Sequence, residues 1–328
     1  MNTRRIILLG ICLGISTFSY SQDQKDSISQ KVVQYAMEKF PSIRTLNIEY
    51  DHQAPFKYSS KENVNKLPEN KVGGVNRVVI DGNKTVLVKN GWIFGTKINY
   101  SYNSFTLADP NPVSGVQTEI LQDYHYFAAG LNVARVSKLF GKPFIYSGSL
   151  IVDGSDKHFE RLRGILTGTL VLKTDERTKM TVGLAAMVDP TVLIPVLPSF
   201  SYEYKFRNGW ILDVILPQKV YMRKELLKNG RISFGSEMAG STFYLYDLYG
   251  KKKRYQYQQL EINSGLMYEH NLGRSFVGTL KSGLRSIPTG RIFEKSGSFN
   301  DYIYEARPQS SFYINVGVSF NPFEMKRK

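Results

Sequence analysis

The stretch from Ser199 to Leu216 constrains the fold more than any other in this chain. Phe200, Tyr202, Tyr204 and Phe206 alternate with Ser201, Glu203, Lys205 and Arg207. After Asn208-Gly209 the alternation resumes as Trp210, Leu212, Val214 and Leu216 against Ile211, Asp213 and Ile215. Strict period-two alternation marks a strand whose faces meet different surroundings. A two-residue Asn-Gly loop would pair Tyr204 with Asp213 and mix charged and apolar residues on one face. A three-residue loop, Arg207-Asn208-Gly209, with Gly209 left-handed, instead pairs Phe206 with Trp210, Tyr204 with Leu212 and Tyr202 with Val214. That register gives one continuous aromatic and aliphatic face and an opposite face carrying Glu203, Lys205 and Asp213. In a soluble sandwich the charged face would point to water. In a transmembrane barrel the apolar face meets lipid and the charged face lines the lumen.

The N-terminus favours the second arrangement. Arg4-Arg5, an apolar run from Ile6 to Phe18, and Ser19-Tyr20-Ser21 before Gln22 supply the three parts of a secretory signal. The run is too short for a permanent helical anchor, which needs about 20 residues. Lipid attachment at Cys12 is the weaker reading, because Ile11 precedes it where such sites want a small residue. Cleavage after Ser21 would remove the chain's one cysteine, and Arg4 and Arg5 with it, taking the formal charge from +15 to +13. No disulfide or thiolate metal site then remains to be used. So basic a chain ordinarily suggests a nucleic-acid partner. An exported one meets outer-membrane lipids, lipopolysaccharide phosphates or anionic solutes instead. Beyond the signal no stretch reaches the length of an apolar transmembrane helix, so any membrane span is made of strands.

The expected organisation is a signal peptide over 1–21, a periplasmic segment over 22–43, an outer-membrane β-barrel over 44–323 and a basic tail over 324–328. In the second segment Ile28, Val32, Tyr35, Ala36 and Phe40 recur at helical spacing, with Ser27 as a cap and Pro41 as a stop. Packing on the barrel rim is the simpler expectation for this helix; a plug is the functional one.

From Thr45 onward strand and turn signals alternate. Strands are predicted near 45–50, 75–89, 92–102, 123–136, 144–152, 164–172, 179–188, 199–206, 210–216, 220–227, 231–238, 257–268, 276–284 and 312–320. The total is about 14, or 12 if the first two stay outside the barrel. If the last strand ends in the periplasm, the short turns at Lys89-Asn90-Gly91, Lys138–Lys142, Thr174–Thr178, Arg207-Asn208-Gly209, Lys228-Asn229-Gly230 and Asn271-Leu272-Gly273 all fall on that side. The longer connections, Asp51–Gly74, Ser104–Leu121, Ala239–Gln256 and Ser286–Gln309, fall on the other. That sorting is a property of transmembrane barrels. Asp153–Glu160 and Pro217-Gln218-Lys219 break it by being short on the outer side.

The signal ending Ser19-Tyr20-Ser21-Gln22, the segment Pro198 to Tyr204 running into Trp210 to Pro217, and the closing stretch Phe312 to Phe323 resemble an uncharacterised family of outer-membrane β-barrels common in Bacteroidota. The resemblance covers most of the mature chain. It implies location and fold, with the barrel-assembly machinery as a partner during biogenesis, and brings no activity. The chain departs from the usual barrel ending, because Phe323 follows Pro322 and precedes Glu324-Met325-Lys326-Arg327-Lys328. Either Phe320 serves as the terminal aromatic or the tail folds back.

Catalytic signals are sparse. His52, His125, His158 and His270 form no metal-binding spacing, and no nucleophile elbow, phosphate loop or dinucleotide fingerprint appears, so no cofactor, no metal and no catalytic residue is expected. His125, between Tyr124 and Tyr126 at an outer strand end, is the one handle for an outer-membrane lipid-modifying hydrolase. The register makes Lys97, Glu203, Lys205, Asp213, Glu261, Lys281 and Arg285 lumen-lining candidates, as a solute path or as a salt-bridged, closed wall. Trp92, Phe94, Phe200, Tyr202, Tyr204, Phe206, Trp210, Phe312 and Phe320 become lipid-facing. Lys251, Lys252, Lys253 and Arg254 form an outer-loop candidate for binding lipopolysaccharide phosphates, or a solvated loop. The expected function is a passive channel or transporter for small solutes, hydrophobic ones among them. The alternative is a structural or interaction barrel with a filled lumen.

Overall fold

The computed structural model of the chain describes residues 27–108, 119–189, 191–192, 194–250 and 252–322. The signal segment, Phe323 and the basic tail lie outside these residues.

The described chain closes into an antiparallel ring of fourteen strands. Twelve run up and down in succession: β3 (Asn65–Lys89), β4 (Trp92–Ala108), β5 (Glu119–Leu139), β6 (Lys142–Gly154), β7 (Phe159–Thr174), β8 (Thr178–Val188), β9 (Val196–Lys205), β10 (Ile211–Leu216), β11 (Lys219–Leu226), β12 (Gly230–Tyr246), β13 (Arg254–Gly273) and β14 (Phe276–Glu294). The two seam strands are each broken once. The first is β1 (Leu46–Gln53) continued as β2 (Phe56–Glu62), interrupted where Pro55 can donate no ladder hydrogen bond. The last is β15 (Tyr302–Pro308) continued as β16 (Ser311–Phe320). β1 pairs with β16 and β3, and β2 with β15 and β3, which shuts the ring. The first two predicted strands are therefore part of the wall.

The Ser199–Leu216 hairpin takes the three-residue loop. Tyr204 pairs with Leu212 and Tyr202 with Val214, Phe206 N donates to Trp210 O at 2.8 Å, and Gly209 has φ 83°. Other turns differ from the sequence expectation by a residue or more. Lys89 pairs directly with Trp92, leaving a two-residue Asn90-Gly91 loop with both φ values positive. The turn after β11 is Leu227-Lys228-Asn229, since Leu226 pairs with Gly230. The turn after β13 is Arg274-Ser275, both left-handed, because Gly273 pairs with Phe276 across a bulge. The predicted long outer connections are largely wall. β2 and β3 form a hairpin beyond the first break, and β12 and β13 stay paired out to Tyr246 and Arg254.

The facing of the side chains inverts that of a soluble protein. Along β16, Phe312, Ile314, Val316 and Val318 are exposed while Ser311, Tyr313, Asn315 and Ser319 are buried. Exposed Ile98, Leu131, Leu150, Leu166, Leu184, Phe234, Leu266 and Leu280 continue the apolar surface around the ring. Exposed apolar area this continuous is stable only against hydrocarbon. Near the short-turn end an aromatic girdle marks the interface: Trp92 stacks on Phe94 (6.1 Å), Trp210 meets Phe234 edge-on (6.0 Å) and Phe276 meets Phe320 (5.3 Å). Arg135 and Lys224 lie over the Trp92 and Trp210 rings at 4.9 and 5.5 Å, cations at the level where lipid headgroups begin.

The N-terminal helix α1 (Ser27–Lys39), followed by a 3-10 turn over Pro41–Ile43, corrects the rim expectation. It sits inside the ring. Val32, Val33, Ala36 and Met37 share one chamber with inward-facing residues of β3 to β7. The physical reason is charge: the helix ends in Lys39, whose partners are carboxylates on the inner wall.

Candidate functional site

The lumen is built from the residues that alternate with the lipid-facing ones, and it is closed at two levels by different means. At the short-turn end Lys39, 3% exposed, is ion-paired with Glu203 and with Asp213 Oδ1 (2.8 Å). Arg223 bonds both carboxylates, and Lys179 Nζ reaches Glu203 at 3.0 Å. Lys39 and Lys179 both lie over the Tyr35 ring, at 5.3 and 4.9 Å, and Lys219 Nζ donates to the Lys39 carbonyl at 2.6 Å. One turn of chain later, buried Arg44 donates to Glu269 Oε1 and Ser319 Oγ, both at 2.7 Å, and to the Met37 carbonyl. Arg231 holds the other oxygen of Glu269. α1 is thus fastened to β9, β10 and β11 at its last residue, and its exit is fastened to β13 and β16.

A second group of charges braces the middle of the seam side. Glu261 on β13 is wholly buried between Arg77 of β3 (Nη2 to Oε1, 2.6 Å) and Arg285 of β14 (3.3 Å), and Arg285 makes a two-pronged bond to Asp51 of β1 at 2.6 and 2.8 Å. Each ion here has lost its water, so the cluster holds only because every charge meets an opposite one.

The outer end is closed by the wall itself. β5 and β12 stand seven places apart in the fourteen-strand ring, diametrically opposite, yet the Tyr124 and Phe243 rings stack with centroids 4.3 Å apart. The tip of the β12–β13 hairpin folds across the mouth. On one side Phe243 packs on Phe105 (5.6 Å) and Tyr257 (4.8 Å). On the other, Tyr244 donates to Asp153 (2.6 Å), and Tyr246 to Glu160 (2.9 Å). Asp153 and Asp189 in turn hold Arg163 at 2.7 and 3.2 Å. Burial at the outer rim pulls the Glu160 carboxyl upward, but hydrogen bonds from Lys295 and Tyr246 and the charges of Lys295 and Arg254 win and hold it below the usual carboxylate range.

Among the described residues the space between these closures includes two voids. The larger, about 600 Å³, lies between α1 and the β3–β7 wall, where Asp81, Lys97, Asn99, Asn132, Ser147 and Ser149 share the inner face with Ile93, Ala128, Ile151 and Ile165. The smaller, about 180 Å³, lies outside the Arg77–Glu261 brace and under the folded hairpin.

Of the residues singled out from sequence, Lys97 lines the larger chamber, Glu203 and Asp213 anchor α1, and Glu261 and Arg285 form the brace. Lys281 bonds Glu237 at 2.8 Å. Lys205 is on the same strand face as Glu203 but exposed near the turn. The nine aromatic positions, Trp92, Phe94, Phe200, Tyr202, Tyr204, Phe206, Trp210, Phe312 and Phe320, alternate with these inward residues and lie on the outer surface. Among the outer basic residues, Lys251 lies outside the described residues, Lys252 is exposed, Lys253 bonds Glu294 (2.6 Å) and Arg254 pairs with Glu160 (3.4 Å). His125 turns outward between the Tyr100 and Tyr102 rings, and its Nδ1 is 3.0 Å from the Tyr100 hydroxyl. Missed by sequence reasoning were Lys39, Arg44, Asp51, Arg77, Asp153, Arg163, Asp189, Arg223, Arg231 and Glu269. For Arg223 the signal existed, as Val220 and Met222 alternate with Tyr221 and Arg223.

Residues 156–321, half of the chain, match a domain of unknown function, DUF6268. The chain belongs to this family. The DUF6268 match begins at the outer turn before β7 and runs to the end of β16, so it takes in Glu203, Asp213, Glu261, Glu269 and Arg285 but not α1. No curated protein matches. Among solved structures, the chain is similar to the TodX deltaS2S3 mutant monoaromatic hydrocarbon channel, at 9% identity and TM-score 0.39, over 87% of this chain and 94% of that one. It is similar also to an outer membrane channel from Pseudomonas putida F1 (9%, TM-score 0.34, 84% and 95%) and to the outer membrane protease OmpT from Escherichia coli (8%, TM-score 0.24, 84% and 96%). At such identity the likeness extends to the barrel and no further.

Proposed function

We propose that this protein is an outer-membrane channel for small solutes, closed in the present conformation by α1. The observation that carries the reading is the chamber of about 600 Å³ beside the helix. A barrel whose lumen serves only to hold the wall together has no use for an unfilled space of that size. Its mixed lining suits a small solute that is uncharged or weakly polar, since Asp81 and Lys97 offer both signs and the isoleucines offer apolar surface. The helix belongs to no ladder, so it can leave the lumen without breaking a strand pairing.

Planar-bilayer recording of the signal-free protein beside a Lys39→Glu variant tests this. Three carboxylates would then face one another at the helix anchor, and the variant should show frequent discrete openings where the wild type shows few. Equal silence from both, with both inserted, would contradict the channel and favour the structural barrel. The Asp51–Arg285–Glu261–Arg77 brace is the specific feature that favours that second reading.

A further inference from the structure

The smaller outer cavity has a chemistry of its own. Its walls come from both seam strands and the folded hairpin: Phe56, Val72, Val75 and Leu107 on one side, Phe243, Tyr257, Ile287 and Ile292 on the other. The polar groups that reach it are already engaged with one another. Gln53 Nε2 donates to Ser311 Oγ (2.8 Å), Tyr257 donates to Gln259 Oε1 (2.6 Å), Gln259 Nε2 donates to Glu261 (2.6 Å), and Tyr124 donates to Gln122 Oε1 (2.6 Å). A polar ligand would enter without partners and forfeit its hydration. An apolar one would lose nothing. Size narrows the class further, because an apolar cavity of about 150 Å³ stays dry and accepts benzene, and this one is about 180 Å³. The Tyr124 and Tyr257 rings, stacked against Phe243 at centroid distances of 4.3 and 4.8 Å, add an aromatic wall to the cavity.

From this we infer that the outer cavity is a binding site for a small, neutral, one-ring hydrocarbon. The inference goes beyond the channel reading and does not need it, since binding from the outer side requires no movement of α1.

The test is calorimetric titration of toluene into the full mature chain in lipid nanodiscs, with empty nanodiscs giving the partition baseline. Two variants fill the cavity from different walls, Ala306→Leu and Leu107→Phe, and heat-modifiable migration on gels verifies that each still forms the barrel. Saturable binding by the wild type, weakened tenfold or more in either folded variant, is the expected result. Lys39→Glu should bind toluene as the wild type does, whatever its conductance, so failure of the channel reading and failure of this site give different patterns. In the wild type itself, toluene protons should show transferred magnetisation to the Ala306 methyl group. No saturable binding, undiminished binding in a folded filled variant, no transfer to Ala306, or equal binding of benzoate would each overturn the proposal.

Discussion

The two ends of this lumen are closed in ways that differ in kind. At the short-turn end the obstruction is a separate helix, attached through Lys39 to Glu203 and Asp213 and through Arg44 to Glu269. At the outer end it is the wall, folded over so that Phe243 stacks on Tyr124 from the opposite strand while the β12–β13 ladder continues to Tyr246. Ion pairs with an element outside the sheet can be exchanged for pairs among themselves, because Arg223 already bonds both Glu203 and Asp213. An aromatic cluster built on a ladder can open only by exposing its rings or breaking ladder bonds. On the proposed channel reading the helix is the gate, and the folded hairpin is a roof with a cavity beneath it.

Breaking the seam brace should have the largest effect. Asp51→Ala leaves Arg285 buried with one carboxylate fewer, and loss of a buried pair costs about 3–5 kcal/mol; the urea midpoint of the refolded barrel should fall accordingly. Phe243→Ala removes the roof's central ring and should cost about 3 kcal/mol on the same scale, without raising conductance. Lys39→Met should do the reverse. With Arg223 and Lys179 left to neutralise the two carboxylates, the loss should stay below the about 3–5 kcal/mol of an uncompensated buried charge while openings become more frequent; a barrel with unchanged conductance would erase the contrast between the ends.

Acid should loosen the roof first. Glu160 has a depressed pKa in the folded state, so the stability it lends is present above the ordinary carboxylate pKa of about 4.3 and is lost as pH falls through the folded value. Hydrogen exchange of the Ser241–Tyr246 amides, corrected for intrinsic rates, should stay flat from pH 7 to 5 and rise below about 4. The smallest effect belongs to the girdle. Lys224→Ala removes one cation from the Trp210 face and should cost about 0.5–1 kcal/mol of folding stability in lipid, with no change at either end of the lumen.

The contrast between wall and lumen also separates what the sequence made legible from what it hid. All fourteen strands were readable, because lipid on one side and a polar lumen on the other enforce period-two alternation, and the Tyr204–Leu212 register followed from keeping Asp213 off the apolar face. Turn positions were less secure. Arg274 and Ser275 take left-handed conformations without a glycine, so Gly273 drew the turn one step early. Glu261 and Arg285 of the brace were legible, but Arg77 was hidden, because Val78, Val79 and Ile80 are apolar in both phases and mask its inward facing. In the outer closure, Asp153 and Asp189 lie at the ends of β6 and β8, where alternation has stopped. α1 was recognisable as a helix from its spacing, but its place inside the ring depends on Lys39 meeting carboxylates 164 and 174 residues away. Lys281, a lumen-lining candidate from the sequence, is committed to Glu237, so reversing its charge would test wall stability rather than selectivity.

The most direct test of the gate uses the absence of cysteine between residues 22 and 328. A Ser149→Cys substitution places a single thiol in the chamber beside α1. Its rate of modification by a small hydrophilic methanethiosulfonate should be slow in the otherwise native barrel and at least tenfold faster when Lys39→Glu is added. Equal rates in the two proteins, fast or slow, would contradict the account of α1 as the displaceable closure of this lumen.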